Sequence, residues 1–205
     1  MNSIYKSCTN NKHYECHNHI CDHCKCNPCK CDYDKRKSCI QHPTLTETIL
    51  ACGTGTGANI PIPTNNGTFS PITLASVSID TSCLKKPTVK IDFDSIINYS
   101  ASMTVADDAA ISNPFTVTFQ LSKTCNDGSK IGLGNWYYST AFLLPAVNTT
   151  DSFSFTHCEC SSCSGCCIYT IEIVQASASV LTNVTDLVEN AQIVSSSISA
   201  LASSC

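Results

Sequence analysis

Charge is scarce in this sequence. Asp, Glu, Lys and Arg make up 14% of the 205 residues, against roughly 25% in an ordinary soluble domain. The formal net charge is −4, which argues against a nucleic-acid binder, since that class presents a basic face. A surface solvated by Ser, Thr and Asn repels its neighbours weakly, and that suits a protein packing against copies of itself. Long apolar runs are missing too: none reaches the roughly 18 residues of a membrane span. Met1–Cys16 is polar and lacks the apolar region of a secretory signal. Histidine is confined, with His157 alone beyond residue 42. Beyond residue 42, a dyad of His157 with a neighbouring cysteine is the one nucleophilic arrangement conceivable, and the chain reads as a non-enzyme without a cofactor. Trp136 is the sole tryptophan, and with Tyr137 and Tyr138 it gives a thin basis for a carbohydrate-binding platform.

Cysteine is abundant. The chain has 17, above the roughly 8% that marks a disulfide scaffold or metal protein. The number is odd, so complete intrachain pairing leaves one sulfur for an intermolecular bond, a free thiol or a metal. Disulfides need an oxidising compartment, yet no export signal is apparent. Three settings reconcile the two: a metal-loaded cytosolic protein, an unrecognised export route or removed leader, or a protein made in a cell that later lyses. The coat layers of bacterial spores arise in the last way.

The cysteines divide the chain. Cys8, Cys16, Cys21, Cys24, Cys26, Cys29, Cys31 and Cys39 lie in an arm, residues 1–43, that has too few large apolar residues to build a core and ends near Pro43. Metal, disulfides or a partner surface would have to order it. Residues 44–205 are rich in Ile, Val, Thr, Ser and Phe with period-two alternation. Val89, Ile91 and Phe93 oppose Lys90, Asp92 and Asp94, and Phe115, Val117, Phe119 and Leu121 oppose Thr116, Thr118 and Gln120. Phe153 with Phe155, and Tyr169, Ile171 and Ile173, continue the pattern. Thr46–Cys52, Ile72–Thr81, Trp136–Phe142 and Gln192–Leu201 are further candidates, and Gly, Asn and Pro clusters supply turns between them. About eight short strands predict an all-β, jelly-roll-like two-sheet sandwich with a cysteine-rich N-terminal arm. In the tail, Val180, Val184, Leu187, Ala191, Val194, Ile198 and Leu201 also fit a helical stripe. The serines and β-branched residues of 191–201 favour strand there, while 181–190 is left open between strand and a helical turn.

Two cysteine clusters carry the chemistry. In the arm, His17, His19, Cys21, His23, Cys24, Cys26 and Cys29 offer thiolate and imidazole at the two-residue spacing that suits a tetrahedral ion. Zinc modules, however, fold a dozen or more residues between ligand pairs, and here the ligands are crowded as in a cross-linking tail. The second cluster runs from His157 through Cys158, Cys160, Cys163, Cys166 and Cys167; vicinal Cys166 and Cys167 would be strained as a pair. Cys52, Cys83 and Cys125 each stand at a predicted strand end, where a small buried hydrophobe is the plain alternative to a disulfide. Cys52, Cys83, Cys125, Cys158, Cys160, Cys163, Cys166 and Cys167 are therefore candidates for disulfides within the domain. Terminal Cys205 and the eight arm cysteines are candidates for bonds between subunits. The competing reading is a zinc or copper protein using the arm residues named above and the 157–167 cluster, in which His157 and the Cys160-x-x-Cys163-x-x-Cys166 spacing could grip an ion. Gly53-Thr-Gly-Thr-Gly57 lacks the Lys of a P-loop and reads as a turn. The Asn-x-Ser/Thr sites at Asn66, Asn98, Asn148 and Asn183 carry little weight without export.

Several strings are familiar. Leu50-Ala-Cys-Gly-Thr-Gly-Thr-Gly57, Asp80-Thr-Ser-Cys-Leu84, Pro87-Thr-Val-Lys-Ile-Asp-Phe93, Thr118-Phe-Gln-Leu-Ser-Lys-Thr-Cys125, Asp151-Ser-Phe-Ser-Phe155 and Cys163-Ser-Gly-Cys-Cys-Ile-Tyr169 resemble a cysteine-rich family of spore-forming clostridia, described as a domain of unknown function. The resemblance spans about residues 44–200 and leaves out the arm. More loosely, the layout is similar to exosporium proteins and to jelly-roll subunits of endospore appendage fibres, in which an N-terminal connector bonds to neighbouring subunits. That resemblance implies a self-assembling subunit on a spore surface, partnered by itself and by other spore-surface proteins.

Overall fold

The computed structural model describes residues 48–62, 69–126, 128–160 and 165–204; the arm and the boundary at Pro43 lie outside them. Among the described residues there are ten strands and no helix: β1 (Thr48–Cys52), β2 (Thr54–Gly55), β3 (Ala58–Ile60), β4 (Ile72–Asp80), β5 (Pro87–Asn113), β6 (Phe115–Cys125), β7 (Ile131–Thr140), β8 (Ala146–Glu159), β9 (Cys166–Ser177) and β10 (Val180–Ser204). The pairings are nested. β6 pairs with β7, β5 with β8, β4 with β9 and β1 with β10, all antiparallel. This is one long hairpin, and rolling it up places β10 beside β5 and β9 beside β6. Two sheets result, sheet A in the order β1-β10-β5-β8 and sheet B in the order β2-β4-β9-β6-β7, with β3 also on β10. The predicted jelly roll is the architecture found.

Alternation explains why these segments are strands. Val89, Ile91 and Phe93 from sheet A meet Phe115, Val117, Phe119, Leu121, Tyr169, Ile171 and Ile173 from sheet B, each at most 1% exposed. Burying one such side chain contributes about 1.5–3 kcal/mol. Phe93 and Phe119 touch across the core with ring centroids 6.1 Å apart.

The tail is strand throughout, including 181–190, and β5 and β10 run 27 and 25 residues rather than forming short strands. Beyond Ser102, where β8 stops, these two continue alone as a ribbon to Asn113 and Val180. The ribbon hands the pair over to β6 and β9 of sheet B. It bends through irregularities: Thr182 pairs with Ala110 and Val184 with Val105, so residues 106–109 stand opposite Asn183 alone. Asn183 and Asp186 take φ values of 55° and 54° there, conformations that short polar side chains tolerate best after glycine.

The Gly53–Gly57 run is not a simple turn. It leaves β10, crosses to β4 of sheet B and returns to β10 as β3. Gly53 N–H donates to Ile198 O at 2.9 Å and Thr56 N–H to Leu74 O at 2.9 Å, while the Ser196 hydroxyl donates to Thr56 O at 2.7 Å. The segment clasps the open side of the sandwich so closely that a Cβ on Gly53 would overlap Ser76 O, and one on Gly55 would overlap Ser196 O. Backbone cannot yield as a side-chain tip can. Gly55→Ala is therefore expected to lower stability by about 1–3 kcal/mol in urea unfolding. Gly132→Ala, whose nearest neighbour would be 3.7 Å away, should stay within about 0.5 kcal/mol of the parent.

Candidate functional site

The sulfurs within the described residues divide by strand face. Cys125 at the end of β6 and Cys167 on β9 are register partners and form a disulfide, with their Cα atoms 4.1 Å apart. Cys167 is buried and points into the core, so vicinal Cys166 faces outward, where its sulfur lies 3.6 Å from the Ser78 hydroxyl. Two residues before Cys125 on the same face, Lys123 is buried and its ammonium pairs with Glu159 of β8, bridging the two sheets. The Tyr169 hydroxyl donates to the other Glu159 oxygen at 3.1 Å. Cys83 is exposed in the turn after β4, which is pinned by Thr81 N–H donating to Gly165 O at 2.9 Å. Cys163, Cys205 and all eight arm cysteines lie outside the described residues.

Cys52, Cys158, Cys160 and Cys166 are free thiols, and Cys52, Cys158 and Cys160 are exposed. Cys52 is thus not the buried hydrophobe that was the plain alternative for it. The register across sheet A runs Cys52–Ser199–Asp92–Thr156 in one row and Leu50–Leu201–Lys90–Cys158 in the row two residues away. All of these belong to the solvent face of sheet A. That face is weakly charged but locally ordered. Thr156 donates to an Asp92 oxygen at 2.6 Å, and Lys90 pairs with Asp92 at 2.9 Å. The Thr156 hydrogen bond, helped by Lys90 and opposed by partial burial, holds the Asp92 carboxyl below the usual carboxylate range.

His157 is separated from the thiols beside it in sequence. It lies on the core side of β8, edge-on to Trp136 at 5.9 Å, whereas Cys158 and Cys160 fall on the opposite face. Neither the dyad nor a site joining His157 to Cys158 is assembled by that strand. Among the described residues no group of three or more His, Cys, Asp or Glu is placed to hold a metal ion; the arm ligands of the metal reading, His17, His19, Cys21, His23, Cys24, Cys26 and Cys29, lie outside them. The aromatic platform is not exposed either. Trp136 stacks on Phe155 at 3.9 Å and Tyr138 meets Phe153 edge-on, closing the side of the sandwich between β7 and β8. Burial and a hydrogen bond to Asp151 push the Tyr138 hydroxyl far above its ordinary pKa. Only Tyr137 of the three is turned outward.

The edges of sheet A complete the site. β8 is 14 residues long, pairs with β5 in unbroken register, and has no further neighbour in its sheet among the described residues. Natural edge strands are usually blunted by Lys, Pro, bulges or cover. β8 has no Lys, Arg or Pro between residues 146 and 159. Its carboxylates, Asp151 and Glu159, are engaged inside the chain by Tyr138 and Lys123. The opposite edge is formed by the short β1 and β3 on β10.

Residues 46–203 match the family described as "Domain of unknown function (DUF4489)". The chain belongs to the DUF4489 family. No curated protein matches the sequence. Among solved structures, the DUF4489 domain is similar to the "Structure of infectious bursal disease virus Gx strain", at 13% identity and a TM-score of 0.33, over 77% of this chain and 38% of the viral one. The chain thus spans well under half of that viral chain, and the likeness is too slight to bear on function. Two features of the site in the DUF4489 domain that the sequence did not reveal are the Lys123–Glu159 bridge and the edge position of β8. Phe153 and Phe155 announced a strand, but which strands become edges is decided by pairing over long separations.

Proposed function

We propose that this DUF4489 protein is a structural, non-enzymatic subunit that assembles with copies of itself and is locked by intermolecular disulfides in a bacterial spore's outer layer, either the exosporium or an appendage fibre. The observation that carries the reading is the unblunted 14-residue edge of β8 on a sheet whose solvent face bears free thiols. An edge strand offers unpaired N–H and C=O groups to another chain, and a thiol beside it can make that contact permanent. Low charge supports the same reading, since it weakens repulsion between copies. The spore setting rests on the sequence resemblance. Additional locks would come from the arm cysteines and Cys205.

The test is electrophoresis of the full chain with and without reductant, alongside electron microscopy. Reductant-sensitive ladders and regular fibres or lattices are expected. A monodisperse monomer under oxidising conditions would overturn the proposal. Tightly bound zinc or copper whose chelation unfolds the protein would favour the metal reading instead.

A further inference from the structure

We infer that the lock between copies includes a disulfide from Cys158 of one chain to Cys52 of the next, formed when the C-terminal end of β8 meets the end of β1 of that second copy edge to edge. This rests on the assembly reading above and specifies its contact. Four observations lead to it. First, Cys52 and Cys158 are both exposed, both free and on the same solvent face of sheet A. Second, they cannot bond within one chain. They lie on the opposite outer strands of the order β1-β10-β5-β8, three strand spacings or about 14 Å apart, whereas a disulfide tolerates Cα atoms only to about 7 Å.

Third, the strand directions match. β1 is antiparallel to β10, β10 to β5 and β5 to β8, so β1 runs antiparallel to β8. A second copy placed beside the first by simple translation presents its β1 antiparallel to β8, and sheet A continues across the junction with the same alternation. Placed with rows level, Thr156 would face Cys52 of the second copy and Cys158 would face Leu50. A slide of two residues, the smallest step that keeps each face outward, sets Cys158 opposite Cys52 and Glu159 opposite Ala51, so β1 is met at the C-terminal end of β8. Such a slide repeated from copy to copy is heterologous and does not close, which makes a filament. Fourth, the chain already uses this bond. Cys125 and Cys167 are antiparallel register partners joined across two strands of sheet B, with 4.1 Å between Cα atoms.

The chemistry balances with a low-molecular-weight disulfide as oxidant. The Cys158 thiolate attacks it, releasing one small thiol and forming a mixed disulfide. The Cys52 thiolate of the next copy then attacks the Cys158 sulfur and releases the second small thiol. Two protein thiols are oxidised and one small disulfide is reduced.

The experiment mixes ¹⁴N- and ¹⁵N-labelled full chains, oxidises them with oxidised glutathione, blocks remaining thiols by alkylation and maps peptides by mass spectrometry without reduction. A Cys52–Cys158 peptide with one half of each isotope is expected. It should vanish in Cys52→Ser and in Cys158→Ser and persist in Cys160→Ser. A polymer in which Cys52 and Cys158 are both alkylated would overturn this contact while leaving assembly standing. A peptide whose halves always share one isotope would also overturn it, as an intrachain bond. A chain that stays monomeric would overturn the contact and the assembly reading together.

Discussion

Replacing Cys125 and Cys167 together by alanine is expected to lower the unfolding free energy by about 4 kcal/mol, the chain-entropy value for a loop of this length. The bond closes a sequence separation of 42 residues, so the unfolded chain loses much freedom when it is present. The double replacement avoids leaving a stray thiol in the core, where Cys167 is 1% exposed. Urea unfolding of parent and variant under identical oxidising conditions, with monomeric samples, gives the difference directly. A loss below about 1 kcal/mol would mean that the neighbouring β6–β9 ladder already supplies the constraint, and the loop-closure account would fail here.

The second large effect is expected at the bridge between the sheets. Lys123 has a side chain only 6% exposed and reaches Glu159, itself 19% exposed. Lys123→Ala strands the carboxylate beside Tyr169 with one hydrogen bond, and removing one partner of a buried pair costs roughly 3–5 kcal/mol. Glu159 keeps some contact with solvent, which places the expectation near the lower end, about 3 kcal/mol. Lys123→Met with Glu159→Leu should recover most of the loss, because apolar replacement of a buried pair is often neutral or stabilising. If the double variant is no more stable than Lys123→Ala, the bridge contributes by attraction rather than by its removal exposing an unpaired charge.

Much of the sandwich was legible because β5, β6 and β9 keep strict alternation. In β5 every second residue from Pro87 to Met103 is buried. The tail was harder for a definite physical reason. In β10 the buried positions are Ala191 and Ile193, then Ile198, Ala200 and Ala202. The register shift between Ile193 and Ser195 moves the pattern from odd to even, and two further shifts lie between Thr182 and Val188. Each shift changes the phase of a period-two pattern, so the whole segment imitates a stripe of period near four. The glycine run was legible as a non-site, but not as a clasp, since its neighbours Ser76 and Ser196 come from elsewhere in the chain. Among the thiols, sequence spacing grouped His157 with Cys158, and strand alternation separates them. The sequence reads Cys52 and Cys158 alike as candidates for disulfides within the domain, while sheet order sets them at opposite edges.

The nested pairing of the roll also has a consequence in time. β6 meets β7 across a short turn, whereas β1 must wait for β10, with Thr48 paired to Ser203. Closing larger loops is slower, so ordering is expected to spread outward from the middle of the chain. Pulse-labelled hydrogen exchange would show this as protection of 115–140 before 48–52, and the reverse order would refute it. During synthesis β1 is made well before β10, and among the described strands it is therefore the last to find its place. The β1 edge that carries Cys52 is in place only once β10 has been made, so a chain halted before β10 cannot offer that edge to a neighbour.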